Sequence, residues 1–159
     1  MPTLAYIALG SNLGDRLAHL KAALAALRRR EGVEVVAVSA FVETEPVGPP
    51  GQGAYLNGAA TLLTERSPAA VLELLLRIER EVGRDRSLEP ERNMARVIDL
   101  DLLLHGDSVV EDERLLLPHP RMHERGFVLG PLASIAPDAV HPVLSRTIAE
   151  LLGDLPRTV

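Results

Sequence analysis

The chain has no cysteine and no tryptophan, a single lysine (Lys21), two tyrosines and two phenylalanines. Without cysteine there is no disulfide frame, no thiolate chemistry and no Cys-based zinc site. An excess of positive charge is also missing. Lys and Arg total 17 against 22 Asp and Glu, a net charge of −5, so no basic field exists to hold an extended nucleic acid. The longest charge-free span, Pro46 to Thr64, contains three prolines and four glycines, which a membrane-crossing helix would not tolerate. Met1-Pro2-Thr3-Leu4 lacks the charged start and cleavage site of a secretory signal. The expectation is a soluble, cytoplasmic protein. No G-x-x-x-x-G-K-[ST] loop occurs, so a nucleotide would have to be held by other means.

What is present suits one globular domain, taken as residues 1–159. At 47% hydrophobic and 25% charged, 159 residues can bury a substantial core. Sixteen of the 17 basic residues are arginine. Background composition accounts for such a bias, and so does a need for planar donor forks that grip phosphate.

Thr3 to Gly10 alternates and reads as a strand. The turn Ser11-Asn12-Leu13-Gly14-Asp15 leads into a helix with Leu13, Leu17, Leu20, Leu24 and Leu27 on one face. Arg28-Arg29-Arg30 suits the C-terminal end of that helix, and Gly32 stops it. Val33 to Glu43 reads as one long strand, Pro46 to Gly53 as a loop, and Tyr55 to Thr64 as a third strand. Ser67-Pro68 caps a second helix that runs through Leu72, Leu75, Leu76, Ile78 and Val82 to Gly83. Val97 to His105 is an apolar strand, followed by a short hairpin partner at Ser108 to Val110. Leu115 to Pro120 is extended, and short helices broken at Pro131, Pro137 and Pro142 complete the chain. The order β-α-β-β-α-β predicts an α+β fold with a ferredoxin-like core. Its sheet would be covered by helices, with an added hairpin strand and short C-terminal helices.

Four segments could carry chemistry. In Val97-Ile98-Asp99-Leu100-Asp101-Leu102, strand alternation sends Asp99 and Asp101 to one face and Ile98, Leu100 and Leu102 to the other. Two carboxylates so close either bind a hard divalent ion, Mg²⁺ rather than zinc, or pair with nearby arginines on a solvated face. Upstream, six arginines fall between Arg77 and Arg96 (Arg77, Arg80, Arg84, Arg86, Arg92, Arg96), with five acids among them. Residues 84–96 lack periodicity, and a loop of that length beside a carboxylate pair suits phosphoryl transfer. In the third segment, Thr44 to Asn57, a Pro/Gly loop is followed by Tyr55 and Asn57 on one strand face, where a ring and an amide could hold a flat heterocycle. In the fourth, His119 sits between Pro118 and Pro120, with no zinc-like spacing to other ligands. Gly10-Ser11-Asn12-Leu13-Gly14 has the look of a phosphate loop, but its two glycines have the wrong spacing, and it reads as a tight strand-to-helix turn.

In this order the segments resemble the 6-hydroxymethyl-7,8-dihydropterin pyrophosphokinases of folate biosynthesis. The likeness rests on Tyr6-Ile7-Ala8-Leu9-Gly10-Ser11-Asn12-Leu13-Gly14, Thr44 to Asn57, Arg77-Ile78-Glu79 with Gly83-Arg84, Asp99-Leu100-Asp101, and Pro118-His119 to Arg125-Gly126-Phe127. The resemblance implies transfer of diphosphate from ATP to the hydroxymethyl group of the reduced pterin, with release of AMP. It implies two Mg²⁺ on Asp99 and Asp101, with Arg84 and Arg96 at the reacting phosphates. It places Tyr55, Phe127, Asn57, Thr44 and Val47 around the pterin. Glu79, Arg84, Arg96, Leu102, Arg114, His119 and Arg125 would lie around ATP. The expected partners are the small-molecule substrates, without nucleic acid or membrane; a monomer is compatible with the sequence, which leaves the oligomeric state open. Two departures stand out: the family's Trp-Gly-Pro-Arg is replaced by Asn93-Met94-Ala95-Arg96, and Pro120 follows His119 where an aromatic residue is common. An RNA-binding module of the same strand order would need stacking aromatics. A silent small-molecule binder would not need the carboxylate pair or the arginines.

Overall fold

The structure is a computed structural model that describes residues 1–45, 52–85, 87 and 95–156. Strand β1 (Thr3–Ser11) lies inside an antiparallel sheet because its two sides are both apolar. Ala5, Ile7 and Leu9 face one helical layer, and Tyr6 and Ala8 face the other. The main sheet runs in the order β2 (Val33–Val38), β4 (Tyr55–Thr64), β1, β5 (Asp99–His105), and β3 (Val42–Thr44) also pairs with β4. Every pairing in it is antiparallel.

Helix α1 (Arg16–Arg28) starts at Asp15, whose carboxylate accepts the Ala18 N–H at 3.1 Å. Leu20, Leu24 and Leu27 are buried as the leucine spacing predicts, whereas Leu13 precedes the helix and Leu17 lies in its first turn, both solvent-exposed. The helix stops at Arg28, short of Gly32. Gly32 serves instead, at φ +77°, in the turn that enters β2. Helix α2 (Pro68–Val82) begins and ends as predicted. The Ser67 hydroxyl accepts the Ala70 N–H, and Gly83 closes the helix at φ +121°. These helices cover one face through Leu20, Leu24, Leu27, Val71, Leu75 and Ile78, against Ile7, Leu9, Leu62, Leu100 and Leu102. Each such side chain contributes about 1.5–3 kcal/mol by leaving water.

The long strand expected at Val33 to Glu43 is two strands. Ser39 interrupts it: its N–H donates to the Ala59 carbonyl at 2.9 Å, and its hydroxyl accepts the Ala59 N–H at 2.8 Å. A side-chain oxygen thus takes the place of a backbone acceptor, and the ladder shifts register between Val38 and Val42. The expected hairpin partner of β5 is not on the main sheet either. β6 (Val110–Glu111) pairs with β7 (Leu116–Leu117) as a separate ribbon, which lets Leu115 and Leu117 enter the core.

The opposite face of the sheet is covered by α3 (Gly126–Ile135) and α4 (Ile148–Asp154), with Leu129, Leu132, Ile148 and Leu151 against Tyr6, Ala59, Leu103 and Leu104. Between these helices, β8 (Val140–His141) and β9 (Arg146–Thr147) form a short ribbon. Pro131 does not break α3. It costs one backbone hydrogen bond, and the burial of Val128, Leu129, Pro131 and Leu132 carries the helix through. Among the described residues, no helix is long and apolar enough to cross a membrane.

Candidate active site

Strand register builds the site. Across β4, β1 and β5, Asn57 stands opposite Gly10 and Gly10 opposite Asp99, while Ala8 faces Ala59 on one side and Asp101 on the other. Two small residues on the central strand therefore form a low floor between the amide and the carboxylates. Gly10 has a steric reason to be glycine: a Cβ there would lie 2.8 Å from Asn57 Oδ1 and 3.4 Å from a Tyr55 ring carbon. The resulting cleft, open to solvent, is lined among others by Thr44, Tyr55, Asn57, Arg96, Asp99, Asp101, Arg125 and Phe127. One end presents rings and an amide, and the Asn57 side-chain amide donates to the Thr44 hydroxyl. The Arg125 guanidinium lies 5.6 Å from the Phe127 ring centre. The other end presents charge.

That charge is organised from behind. Glu79 on α2 is 1% exposed, and its Oε2 accepts the Arg84 Nη1 at 3.0 Å and the Leu100 N–H at 2.8 Å. Arg84 Nη1 also reaches the Ile98 carbonyl at 3.2 Å and Asp99 Oδ1 at 3.1 Å. Arg96 Nη1 takes the second oxygen of Asp99 at 3.2 Å. Asp99 is thus held on both oxygens. Asp101 has no such support: no described residue makes an ion pair or hydrogen bond with its carboxylate. Loss of water contact, then Asp99 and Glu79, push its pKa up to about 8, against the pull of Arg96 and Arg125.

Other expected site residues do not line the cleft among the described residues, although His119 stands close enough to Asp99 and Arg125 to feel their charge. Leu102 is buried in the α1–α2 core on the far face of β5, as strand alternation requires. Arg114 is exposed and paired with Glu73, outside the cleft. His119 N–H donates to the Leu103 carbonyl at 3.0 Å, and burial followed by the Arg125 charge lowers the pKa of its ring. Val47 lies outside the described residues, as do Arg86 and Arg92.

Asn12, which the turn Ser11 to Asp15 gives no individual role, is a structural tie of the site. It is 6% exposed. Its Nδ2 donates to Gln52 Oε1 at 3.0 Å and to the Gly53 carbonyl at 3.3 Å, and its Oδ1 accepts the Arg96 N–H at 2.8 Å. It ties the end of the Pro/Gly loop to the end of the arginine loop. The available signal was a polar residue just past a strand-end glycine, where close backbone approach is common.

A flat-ring slot joined to an arginine-framed carboxylate pair defines an enzyme that moves phosphorus-containing groups onto a small heterocyclic substrate. Comparison with known proteins makes the class specific. The chain belongs to the 7,8-dihydro-6-hydroxymethylpterin-pyrophosphokinase family, whose profile matches residues 6–137. It is similar to the 2-amino-4-hydroxy-6-hydroxymethyldihydropteridine pyrophosphokinase of Bacillus subtilis, with 47% identity over 135 residues, 85% of this chain and 79% of that one. The Haemophilus influenzae protein of the same name is 45% identical over 148 residues, 93% and 90% of the two chains. The folic acid synthesis protein fol1 of Schizosaccharomyces pombe is 40% identical over 96% of this chain, which spans 20% of its length. In fold, the chain resembles the crystal structure of wild-type Plasmodium falciparum HPPK-DHPS at TM-score 0.70 and 14% identity, over 96% of this chain and 44% of that one. The chain is accordingly an ATP-dependent pyrophosphokinase.

Proposed function

We infer that the cleft between Asn57 and Asp101 carries the family's reaction, transfer of the terminal diphosphate of ATP to the hydroxymethyl oxygen of 6-hydroxymethyl-7,8-dihydropterin with release of AMP. The observation that carries this reading is the register that sets Asn57, Gly10 and Asp99 side by side. It brings a slot lined by Tyr55, Asn57 and Phe127 to the edge of the Asp99–Asp101 carboxylate pair. Tyr55 and Phe127 hold the pterin ring, Asn57 reads its edge, and the backbone at Thr44 completes the slot as far as the described residues reach, with Val47 assigned to the pterin by the family likeness alone. Arg84, Arg96 and Arg125 supply positive charge for the phosphates.

The donor set suits Mg²⁺. It is all oxygen, and Asp99 and Asp101 stand side by side on one face of β5. Two Mg²⁺ bound to Asp99 and Asp101 would neutralise the triphosphate and stabilise the leaving AMP. The chain's own part is positioning: Arg84 and Arg96 fix Asp99, and the slot aims the hydroxymethyl group at the phosphate end. No dedicated general base is assigned. Of the residues that the family likeness sets around ATP, His119 is read as bordering the nucleotide, close enough to Asp99 and Arg125 to feel their charge, Arg114 as reaching it only from outside the cleft, and Glu79 and Leu102 as supporting the site from within the core.

The sheet order β2-β4-β1-β5, all antiparallel with α1 and α2 on one face, supports a ferredoxin-like topology, and residues 1–159 are read as one domain. The protein is proposed to act in the cytoplasm on small molecules, without nucleic acid or membrane.

Incubation with ATP, Mg²⁺ and 6-hydroxymethyl-7,8-dihydropterin should yield AMP and the pterin diphosphate. ADP would point to an ordinary kinase, and no turnover would favour a silent binder. Gly10→Ala, by pressing on Asn57, should raise the KM for the pterin about tenfold while leaving the KM for ATP within about twofold. Steady-state kinetics with each substrate varied in turn checks this.

A further inference from the structure

The turn between β1 and α1 touches the ring slot from behind. Arg16, the first residue of α1, donates from Nη1 to the Ala54 carbonyl at 2.9 Å, and its Nη2 lies 2.6 Å from Glu43 Oε1. These partners are the immediate neighbours of Tyr55 and Thr44. Thr44 and Tyr55 are themselves the last register pair of β3 and β4 before the connecting loop. Asn12, from the same turn, holds the preceding carbonyl, that of Gly53. Two consecutive carbonyls entering β4 are therefore fixed by two side chains of one turn. Arg16 does not line the cleft. Glu43, opposite Leu56 in the register, faces away from the ring slot, because strand alternation puts Thr44 and Tyr55 on the other side.

We propose that Arg16 is a positioning residue for recognition of the ring substrate: it locks the mouth of the β3–β4 hairpin and so sets the spacing of Thr44 and Tyr55. The proposal rests on reading the slot as the pterin site. Its two bonds leave one guanidinium in diverging directions, one to a strand-end carbonyl and one to a carboxylate on the neighbouring strand. A lysine ammonium on a flexible stem cannot keep both with the same geometry. The Glu43 carboxylate is largely exposed, so the ion pair alone contributes little. The charge-assisted bond to the Ala54 carbonyl carries the effect.

Steady-state kinetics and thermal unfolding of Arg16→Ala, Arg16→Lys and Glu43→Gln test this. Arg16→Ala should raise the KM for the pterin about tenfold, with kcat, the KM for ATP and Tm nearly unchanged. Arg16→Lys should recover part of that loss, and Glu43→Gln should cost about twofold to threefold. A matching rise in pterin Kd, followed by the fluorescence of the pterin itself, gives a readout independent of turnover. The proposal is overturned if Arg16→Ala leaves the pterin KM and Kd unchanged. It is also overturned if the ATP KM shifts as much, or if the loss only tracks a fall in Tm. If the wild-type protein neither binds the pterin nor forms AMP, the assignment of the slot itself is wrong, a result distinct from a selective failure of the Arg16 variants.

Discussion

Asp101→Asn should abolish turnover and, in the absence of divalent ions, make the protein more stable at alkaline pH. Both effects come from the same placement. The folded Asp101 carboxyl keeps its proton up to about pH 8, whereas in the unfolded chain it ionises near the ordinary value of about 4. Between those limits the folded state binds more protons than the unfolded state, so stability falls as pH rises through the window. Asparagine has no proton to lose. The variant and wild type should therefore match in stability below about pH 4, diverge up to about pH 8 and stay apart above it. At about 1.4 kcal/mol per pH unit, with a discount for solvent reaching the cleft, the gap at pH 9 is at most about 4 kcal/mol. Turnover should fall by about a thousandfold or more, equivalent to about 4 kcal/mol of transition-state stabilisation. Thermal unfolding at pH 5 and pH 9 in chelator reads the first effect. A wild type as stable as the variant at pH 9 would contradict the raised pKa of Asp101. Adding Mg²⁺ with a non-hydrolysable ATP analogue should raise the wild-type Tm and leave that of the variant nearly unmoved, since only the wild type offers both carboxylates.

Much of this site is legible from strand periodicity. Asp99 and Asp101 share a face, with Ile98, Leu100 and Leu102 opposite, because side chains alternate along any strand, and the structure keeps that alternation. The same rule sends Leu102 into the core, even though the family resemblance associates it with ATP. The caps of α2 were equally readable, because Ser67, Pro68 and Gly83 act through their own backbone neighbours. Cross-strand facts were not readable. That Gly10 stands between Asn57 and Asp99 depends on pairing residues 47 and 89 positions away, and periodicity within one strand carries no register between strands. Ser39 is a similar case. Its break in the strand depends on a side-chain bond to Ala59, twenty residues on, while its local sequence is β-branched and reads as continuous. Asn12 and Arg16 act on carbonyls about forty residues away, and so looked like ordinary turn and helix-start residues.

Glu79→Ala should produce the second large loss, and it separates two roles for this residue. In the structure Glu79 is buried beneath β5, where one oxygen accepts from both Arg84 and the Leu100 N–H. Alanine would leave a nearly buried guanidinium with Asp99 as its remaining carboxylate in these contacts, and a strand N–H without an acceptor. Breaking a buried pair from one side typically costs 3–5 kcal/mol. Because Asp99 retains part of the compensation, about 3 kcal/mol is expected, a fall in Tm of roughly 6–12 °C for a chain of this size. Arg84 would then lose its buried anchor on α2 and shift, and Asp99 with it, so kcat should drop about tenfold to a hundredfold while the KM for ATP changes less. Glu79→Gln keeps an acceptor of the same shape and should recover most of the stability, though it weakens the hold on Arg84. A residue that met ATP directly would behave in the opposite way. Alanine and glutamine would both raise the KM for ATP, and neither would lower Tm by more than a few degrees. Measuring Tm, kcat and the ATP KM on the two variants distinguishes a buried brace for Asp99 from a nucleotide ligand, and the burial of Glu79 favours the brace.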